Sequence, residues 1–367
     1  MTFSLESKGQ SAIEYLMTYG WMLLVVAIVG GAVFSMVGEQ NIENVQGFDS
    51  QDVNIGDFGV STQNGLMFSI NDPLGQTSIK EITISDTDTA NVSYQVSHSP
   101  SEEDVVNLPG IIPSDEGGEL EVEVTYDSGS LENLTTSGTV IGGLEVDENF
   151  NNRELILDGL VGYWPLGETY SLGDKAYDLT RNDNHGIKKG SPSSIQGAIG
   201  DAYEFNEEDY VEIEHSDVFN VDSITASIWV KPTEETEWKG VYTKDYEYPW
   251  GFLTNNDEDI NGVNWYVRNE DGNREEFRHA EWDVNQWNHV VGIYDTFEGR
   301  QALYVNGQLK EEMTRDSLPV MKTDNSIMIS NDHQYPGFEM SGGDIKIYDR
   351  ALSEGEIEAI YEQENIE

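Results

Sequence analysis

Asp178, Asn182 and Asn184 stand close together in the run Asp178-Leu179-Thr180-Arg181-Asn182-Asp183-Asn184-His185-Gly186. Asn, Asp and Gly at this density make a tight loop. Such a loop either simply turns the chain or converges side-chain and backbone oxygens on a hard cation, for which Ca²⁺ is the natural guest. A second group is aromatic. Tyr242, Tyr246, Tyr248 and Trp250 cluster around Pro249, and His333 and Tyr335 follow in a later loop. Aromatic faces present flat apolar area with a polar tip, which suits the stacking of a sugar ring. Tyr242 fits a buried strand position; Tyr246, Tyr248, Trp250, His333 and Tyr335 are the candidate glycan platform.

Catalytic chemistry finds less support. A glycosidase needs two carboxylates at a set separation across the scissile bond. Glu275-Glu276 and Glu207-Glu208-Asp209 are adjacent acids, but a chain with 69 Asp and Glu produces such runs by chance. There is no Gly-x-Ser-x-Gly elbow, no His-Glu-x-x-His and no Gly-x-x-x-x-Gly-Lys. The six histidines are scattered without zinc spacing, and the absence of cysteine removes thiolate metal sites, disulfides and cysteine nucleophiles. The chain is therefore read as a non-enzyme. Its formal net charge of −50, with only 19 Lys and Arg, excludes nucleic acid as a partner. Aromatic content of 10% and alternating apolar patterns speak for folded cores rather than disorder. The acidic excess fits a protein adapted to high salt, where carboxylate repulsion is screened.

The elements that must position these groups begin with Lys8-Gly9-Gln10-Ser11-Ala12-Ile13-Glu14-Tyr15-Leu16 and an apolar run free of charge from Tyr15 to Val37. A helix apolar on every side belongs in a membrane or inside a bundle. Cutting between Gly9 and Gln10 would keep this helix on the mature chain. Glu14, costly in hydrocarbon unless paired, would then meet the freed amine of Gln10 on a neighbouring copy. These residues resemble the class III signal peptide of archaeal type IV pilins and archaellins, although Ser11 stands one position earlier than the Ser of that pattern. The resemblance implies processing at Lys8, Gly9 and Gln10 by a prepilin-type peptidase and assembly through Glu14. It also implies a homo-oligomeric surface filament whose subunits are inserted in the membrane through this helix before assembly.

After the helix the pattern turns to short alternating segments. Gly65–Ile70, Ile79–Ile84, Asn91–Val96 and Leu120–Tyr126 read as strands, with turns at Asn71-Asp72-Pro73, Leu108-Pro109-Gly110 and Asp127-Ser128-Gly129. The expectation is an Ig-like β-sandwich. Two sequons, Asn91-Val92-Ser93 and Asn133-Leu134-Thr135, make Asn91 and Asn133 candidate N-glycosylation sites. The polar stretch from Leu144 reads as a linker.

Beyond it come Gly162-Tyr163-Trp164-Pro165-Leu166, the Asp178 run, Ser227-Ile228-Trp229-Val230 and Trp287-Asn288-His289-Val290-Val291. Leu303-Tyr304-Val305-Asn306-Gly307 and Ile347-Tyr348-Asp349-Arg350-Ala351-Leu352-Ser353-Glu354-Gly355-Glu356-Ile357 follow. Asn306-Gly307 is a hairpin turn, and Ser353 with Glu356 forms a helix capping box. In order and spacing these segments resemble the LamG-like jelly roll of the concanavalin A-like lectin superfamily. That resemblance implies that Asp344, on the penultimate strand, joins Asp178, Asn182 and Asn184 at a calcium site, and that the ligand is a cell-surface glycan or polysaccharide.

The expected fold class is mainly β: a long N-terminal hydrophobic α-helix, then an Ig-like sandwich and a LamG/concanavalin A-like jelly roll. The expected divisions are a leader at 1–9, the helix at 10–44, the sandwich at 45–143, a linker at 144–154 and the jelly roll at 155–367. The function expected from this order is a pilin-like filament subunit displaying a lectin-like domain. A membrane-anchored lectin-like protein that never polymerises, or a tethered polysaccharide-acting enzyme, would use the same residues differently.

Overall fold

A computed structural model describes residues 42–363 apart from 49–52, 62–64, 73–75, 87–89, 99–103, 148–149, 151–152, 235–237, 245–248, 258–259, 273, 277–279, 315 and 333–336. The N-terminal part contains β1 (Ile42–Gly47), β2 (Asn54–Ser61), β3 (Gly65–Asn71), β4 (Thr77–Asp86), β5 (Asn91–His98), β6 (Asp104–Leu108), β7 (Ile111–Ser128), β8 (Leu131–Val146) and β9 (Arg153–Ile156). One sheet has the order β1-β8-β7-β4-β5-β9, and the other is β2-β3-β6. Period-two alternation decides which face is inside. In β7, Leu120, Val122, Val124 and Tyr126 are buried while Glu121 and Glu123 face water. They close on Leu66, Phe68 and Ile70 of β3 in one core.

The expectation for the N-terminus is corrected. Ile42–Gly47 is a strand, not the last turn of a helix, because its backbone pairs with the open edge of β8 from Ile42↔Gly142 to Gly47↔Gly138. Among the described residues no helix is long and apolar enough to cross a membrane. Among the described residues the fold is nearly all β with one short C-terminal helix, and the membrane-inserted, filament-borne location drawn from a long helix is withdrawn with it; residues 10–41 of that expected helix lie outside the described residues. Lys8, Gly9, Gln10 and Glu14 lie outside the described residues.

The C-terminal part is a jelly roll of two sheets. Its strands begin with β10 (Leu160–Trp164), β11 (Ser171–Leu172), β12 (Lys175–Ala176), β13 (Gly186–Lys189), β14 (Ser193–Gln196), β15 (Asp201–Phe205), β16 (Tyr210–Ile213), β17 (Ile224–Pro232) and β18 (Gly240–Thr243). They continue with β19 (Trp250–Asp257), β20 (Ile260–Arg268), β21 (Arg274–Glu276), β22 (Ala280–Glu281), β23 (Asn288–Asp295), β24 (Arg300–Val305), β25 (Gln308–Thr314), β26 (Ile327–Ile329) and β27 (Met340–Tyr348). The front sheet runs β14-β15-β27-β17-β23-β24-β25, with β10 also on β27; the back sheet runs β11-β12-β13-β16-β26-β18-β19-β20-β21, with β22 on β20. Ile224, Ala226, Ile228 and Val230 of β17 face Trp250, Phe252, Val263 and Trp265 across the core. The hairpin at Asn306-Gly307 has both residues at positive φ, 53° and 70°, as a tight two-residue turn requires. The chain closes with α1 (Glu354–Gln363), capped as the sequence predicts: Ser353 N donates to Glu356 Oε2 at 2.7 Å and Glu356 N to Ser353 Oγ at 3.3 Å. Ile357 and Ile360 of α1 cover the outer face of the front sheet together with Ile156.

The two parts are joined closely. β8 extends to Val146, and β9 pairs in parallel with β5, so strands occupy both ends of the segment read as a linker. Leu157 N donates to Gln95 O at 2.9 Å. Phe150 packs edge-on against Tyr163 and Tyr170, and the Tyr170 hydroxyl donates to Asp147 Oδ2 at 2.5 Å. Tyr163, Tyr170, Tyr177 and Leu179 of the jelly roll thus belong to the core of the sandwich.

Candidate functional site

The Asp178 loop is built inward. Asp178 is fully buried, and its two oxygens accept Tyr163 N (3.0 Å), Thr180 N (2.9 Å), Thr180 Oγ1 (3.0 Å) and Asn184 N (3.0 Å). Burial pushes its carboxyl up to about 6 against the pull of these hydrogen bonds. Asn182 Nδ2 donates to Val161 O at 2.9 Å, and Asn184 O accepts the Trp164 indole at 2.9 Å. Asp344 accepts the Tyr163 hydroxyl at 2.8 Å and pairs with the buried Lys346 ammonium. Tyr163 therefore touches Asp178 with its backbone and Asp344 with the far end of its ring, which holds the two carboxylates apart. Their oxygens are already engaged by protein donors. No group of three or more His, Cys, Asp or Glu among the described residues could hold a metal ion. The four residues do not fit a calcium ion; Asp178 ties the loop and Asp344 balances Lys346.

The aromatic platform is also rearranged. Tyr246, Tyr248, His333 and Tyr335 lie outside the described residues. Trp250 is 0% exposed, with its ring 5.4 Å from Tyr242 and 6.1 Å from Trp265 inside the intersheet core. It opens β19 rather than ending a loop, and alternation turns it inward with Phe252. Its ring cannot stack on a sugar.

The opposite face of the same strands carries polar groups. Register places Gly251 opposite Tyr266, Leu253 opposite Asn264 and Asn255 opposite Gly262. Phe252 and Trp265 point into the core, so these residues point away from it. Thr243 lies beside Gly251, Met328 beside Thr243, and Glu212 beside Met328. Thr243, Leu253, Asn264 and Tyr266 are fully buried, yet Leu253 and Tyr266 belong to none of the hydrophobic cores. Both amide atoms of Asn264, and Nδ2 of Asn255, are buried with no hydrogen-bond partner among the described residues. A side chain at Gly251 would come within 2.8 Å of the Tyr266 hydroxyl, so glycine there lets the tyrosine lie across the sheet. Glu212 at the side takes Ser326 Oγ at 3.2 Å and Lys189 at 3.4 Å. The face thus holds, closed to solvent, an amide with both donor and acceptor unpaired among the described residues and a second unpaired amide donor, with the Glu212 carboxylate at its side. Sequence reading missed Asn264 because it sits between Val263 and Trp265 in a strand otherwise typical of a core.

Other chemistry-bearing groups have structural roles. Ser227 Oγ lies 2.8 Å from His289 Nε2, but both are fully buried, with His289 stacked between neighbours that include Trp229 and Tyr361 of α1. Burial pushes His289 down to about 3, with Lys346 acting in the same direction. Hydrogen-bonded to each other and packed beneath α1, the two side chains serve the fold. Asp209 accepts Ser191 N at 2.7 Å and Asn206 N at 3.2 Å, so it fastens a loop. The sequon residues Asn91 and Asn133 are both exposed on the sandwich.

Residues 205–358 match the profile of the concanavalin A-like lectin/glucanases superfamily. No curated protein sequence matches the chain. Among solved structures, the binding domain of a Paraclostridial mosquitocidal protein is similar at 17% identity and a TM-score of 0.45, covering 55% of this chain and 52% of its own. Domain 4 of AbnA, an extracellular arabinanase from Geobacillus stearothermophilus solved with arabinotriose, is similar at 19% identity and a TM-score of 0.43, covering 50% and 91%. The botulinum neurotoxin serotype D binding domain is similar at 15% identity and a TM-score of 0.42, covering 56% and 52%. This chain therefore spans about half the length of the two toxin domains. The superfamily match does not reach residues 8–37, so the filament-subunit reading rests on those residues alone and is taken no further.

Proposed function

We propose, from the lectin/glucanase-type domain at residues 205–358 as premise, that this protein is a non-catalytic carbohydrate-binding protein. Its ligand, a cell-surface glycan or polysaccharide, reaches the face of β18, β19 and β20 that carries Thr243, Asn255, Asn264 and Tyr266 only when the cover over these side chains, 0–4% exposed in this structure, is displaced. The observation that carries this reading is Asn264, whose donor and acceptor are both buried and unpaired among the described residues. A buried polar group left without a partner costs about 1–3 kcal/mol. Vicinal hydroxyls of a sugar supply the complementary acceptor and donor, and Asn255 Nδ2 stands on the same face to meet a further hydroxyl.

The test is a glycan array probed with the whole chain in molar salt, wild type beside Asn264→Leu and Asn255→Leu. Loss of the bound glycan in both variants, with melting unchanged or raised, supports the assignment. Retained binding in both moves the site elsewhere, and no binding by the wild type removes the lectin reading. In the same proposal Asn91 and Asn133 carry N-linked glycan. Intact-peptide mass spectrometry of the native protein tests this, and unmodified peptides at both positions overturn it.

A further inference from the structure

A separate cavity of about 360 Å³ opens where the sandwich meets the jelly roll. Val96, Val106 and Pro109 form its sandwich wall; Leu160, Val161 and Val218 form its jelly-roll wall. Its volume falls within the range of small-molecule sites, which favour domain junctions. Both walls are held. The β5–β9 pairing and the bond from Leu157 to Gln95 fix one side, and buried Asp178 fixes the loop that presents Arg181 and Asn182 on the other.

The charge at this cavity is unbalanced at one end. Asp158 and Asp349 both line it. Arg350 serves Asp158 at 3.1 Å and is already engaged by Glu356 of α1 at 2.6 Å. Asp349 has no comparable ion pair among the described residues. Gly159, at φ 74°, lets its carboxylate lie close to the backbone, where a Cβ would stand only 2.8 Å from Oδ1. Asp349 is exposed; partial desolvation raises its carboxyl above the usual carboxylate range, the neighbouring Asp158 adds to this, and Arg350 opposes it. Arg181 is the other charged group on the cavity wall. A cation beside Asp349 would relieve that repulsion. Two carboxylates without a third acidic or imidazole group make no metal site here, and the remaining walls are largely aliphatic.

We infer that this junction cavity binds a small organic amine, its aliphatic body between Val106 and Val161 and its ammonium group against Asp349. The inference is independent of the carbohydrate reading, since it uses different residues and a different ligand class.

The experiment titrates the whole chain with hexylamine and with hexanol by calorimetry at pH 7 in molar NaCl, where diffuse attraction to the acidic surface is screened. Hexylamine should saturate at one site and bind about threefold more tightly than hexanol, the scale of an ion pair to an exposed carboxylate. Asp349→Asn should bring the two ligands to equal affinity, and Val218→Trp, which fills the cavity, should abolish both. Lowering the pH should erase the preference for amine around a midpoint above that of an ordinary aspartate. Equal binding of the two ligands, amine preference that survives Asp349→Asn, or binding that survives Val218→Trp in a variant with a wild-type melt overturns the inference. So does the absence of any saturable heat.

Discussion

Replacing Asn264 by Leu separates a group kept for a ligand from a group kept for the fold. The side chain is 0% exposed, and neither its nitrogen nor its oxygen has a partner among the described residues. An unsatisfied buried polar group costs about 1–3 kcal/mol, and exchange for an apolar side chain of similar branching recovers that cost. Leucine is bulkier than asparagine, and overpacking takes back about 1 kcal/mol or more. Leu253 borders the position, and the Ala280 backbone fills the space beside Gly262, where a Cβ would stand 2.0 Å from Ala280 O, so the added volume finds little room. The balance lies between no change and a gain of about 1 kcal/mol, or up to roughly 2–4 °C in Tm for a domain of this size. The assay is a thermal melt in fixed molar salt, paired with a titration of whichever glycan the array identifies. The expected outcome is an equal or higher Tm together with at least a tenfold loss of affinity. A fall in Tm of several degrees would refute the reasoning, because it would mean that the amide holds the fold together and is not reserved for a ligand. Leu253→Ala, on the adjacent strand, provides the scale, since loss of a fully buried leucine costs about 2–5 kcal/mol.

Three further outcomes follow from the same structure. Trp250→Ala should destabilise the unliganded protein by about 3–5 kcal/mol, as removal of a core tryptophan does; an unchanged melt with lost sugar binding would place its ring outside the core. Acid should act through His289, whose value near 3 in the fold lies below the roughly 6.5 of an unfolded histidine, so its contribution is lost as pH falls from 6.5 towards 3. Asp178, at about 6 in the fold and ~3.9 unfolded, acts in the opposite sense, adding stability as pH falls from 6 to 4; His289→Gln should lessen the acid loss in melts across the window, with part of it kept by His185, which burial also holds low, and an unaltered acid slope would contradict the assignment. Finally, with 69 acids against 19 Lys and Arg, the melt should rise markedly between about 0.1 M and 1 M salt, as the Debye length falls from ~10 to ~3 Å; a flat profile would remove the high-salt reading.

Local chemistry was legible wherever a short stretch decides its own structure. Leu120 to Tyr126 announces a half-buried strand by alternation, Asn306-Gly307 its turn, and Ser353 with Glu356 the start of α1. What failed to show was what depends on register or on distant pairing. Trp250 looks like a loop aromatic beside Pro249, and only the pairing of β19 with β20 reveals that it faces Trp265. Asn264 is hidden for the converse reason, a polar residue whose strand neighbours both point into the core. The Asp178 loop has the composition of a cation site, but its carboxylate turns towards the amides of Tyr163, Thr180 and Asn184. At Ile42 the deciding partner is the edge of β8, nearly a hundred positions along the chain.

The parallel pairing of β9 with β5 bears on how the protein would carry a mechanical load. Four rungs, Val92↔Arg153 to Gln95↔Ile156, link the jelly roll to the six-stranded sheet, and Phe150, Tyr163 and Tyr170 interlock beside them. Tension applied along β9 by a tethered ligand would shear these rungs together, so that all must yield at once. Tension across β9 would unzip them singly. The junction is thus strong in one direction and weak in the other, and the direction of pull would set how long the two parts stay joined.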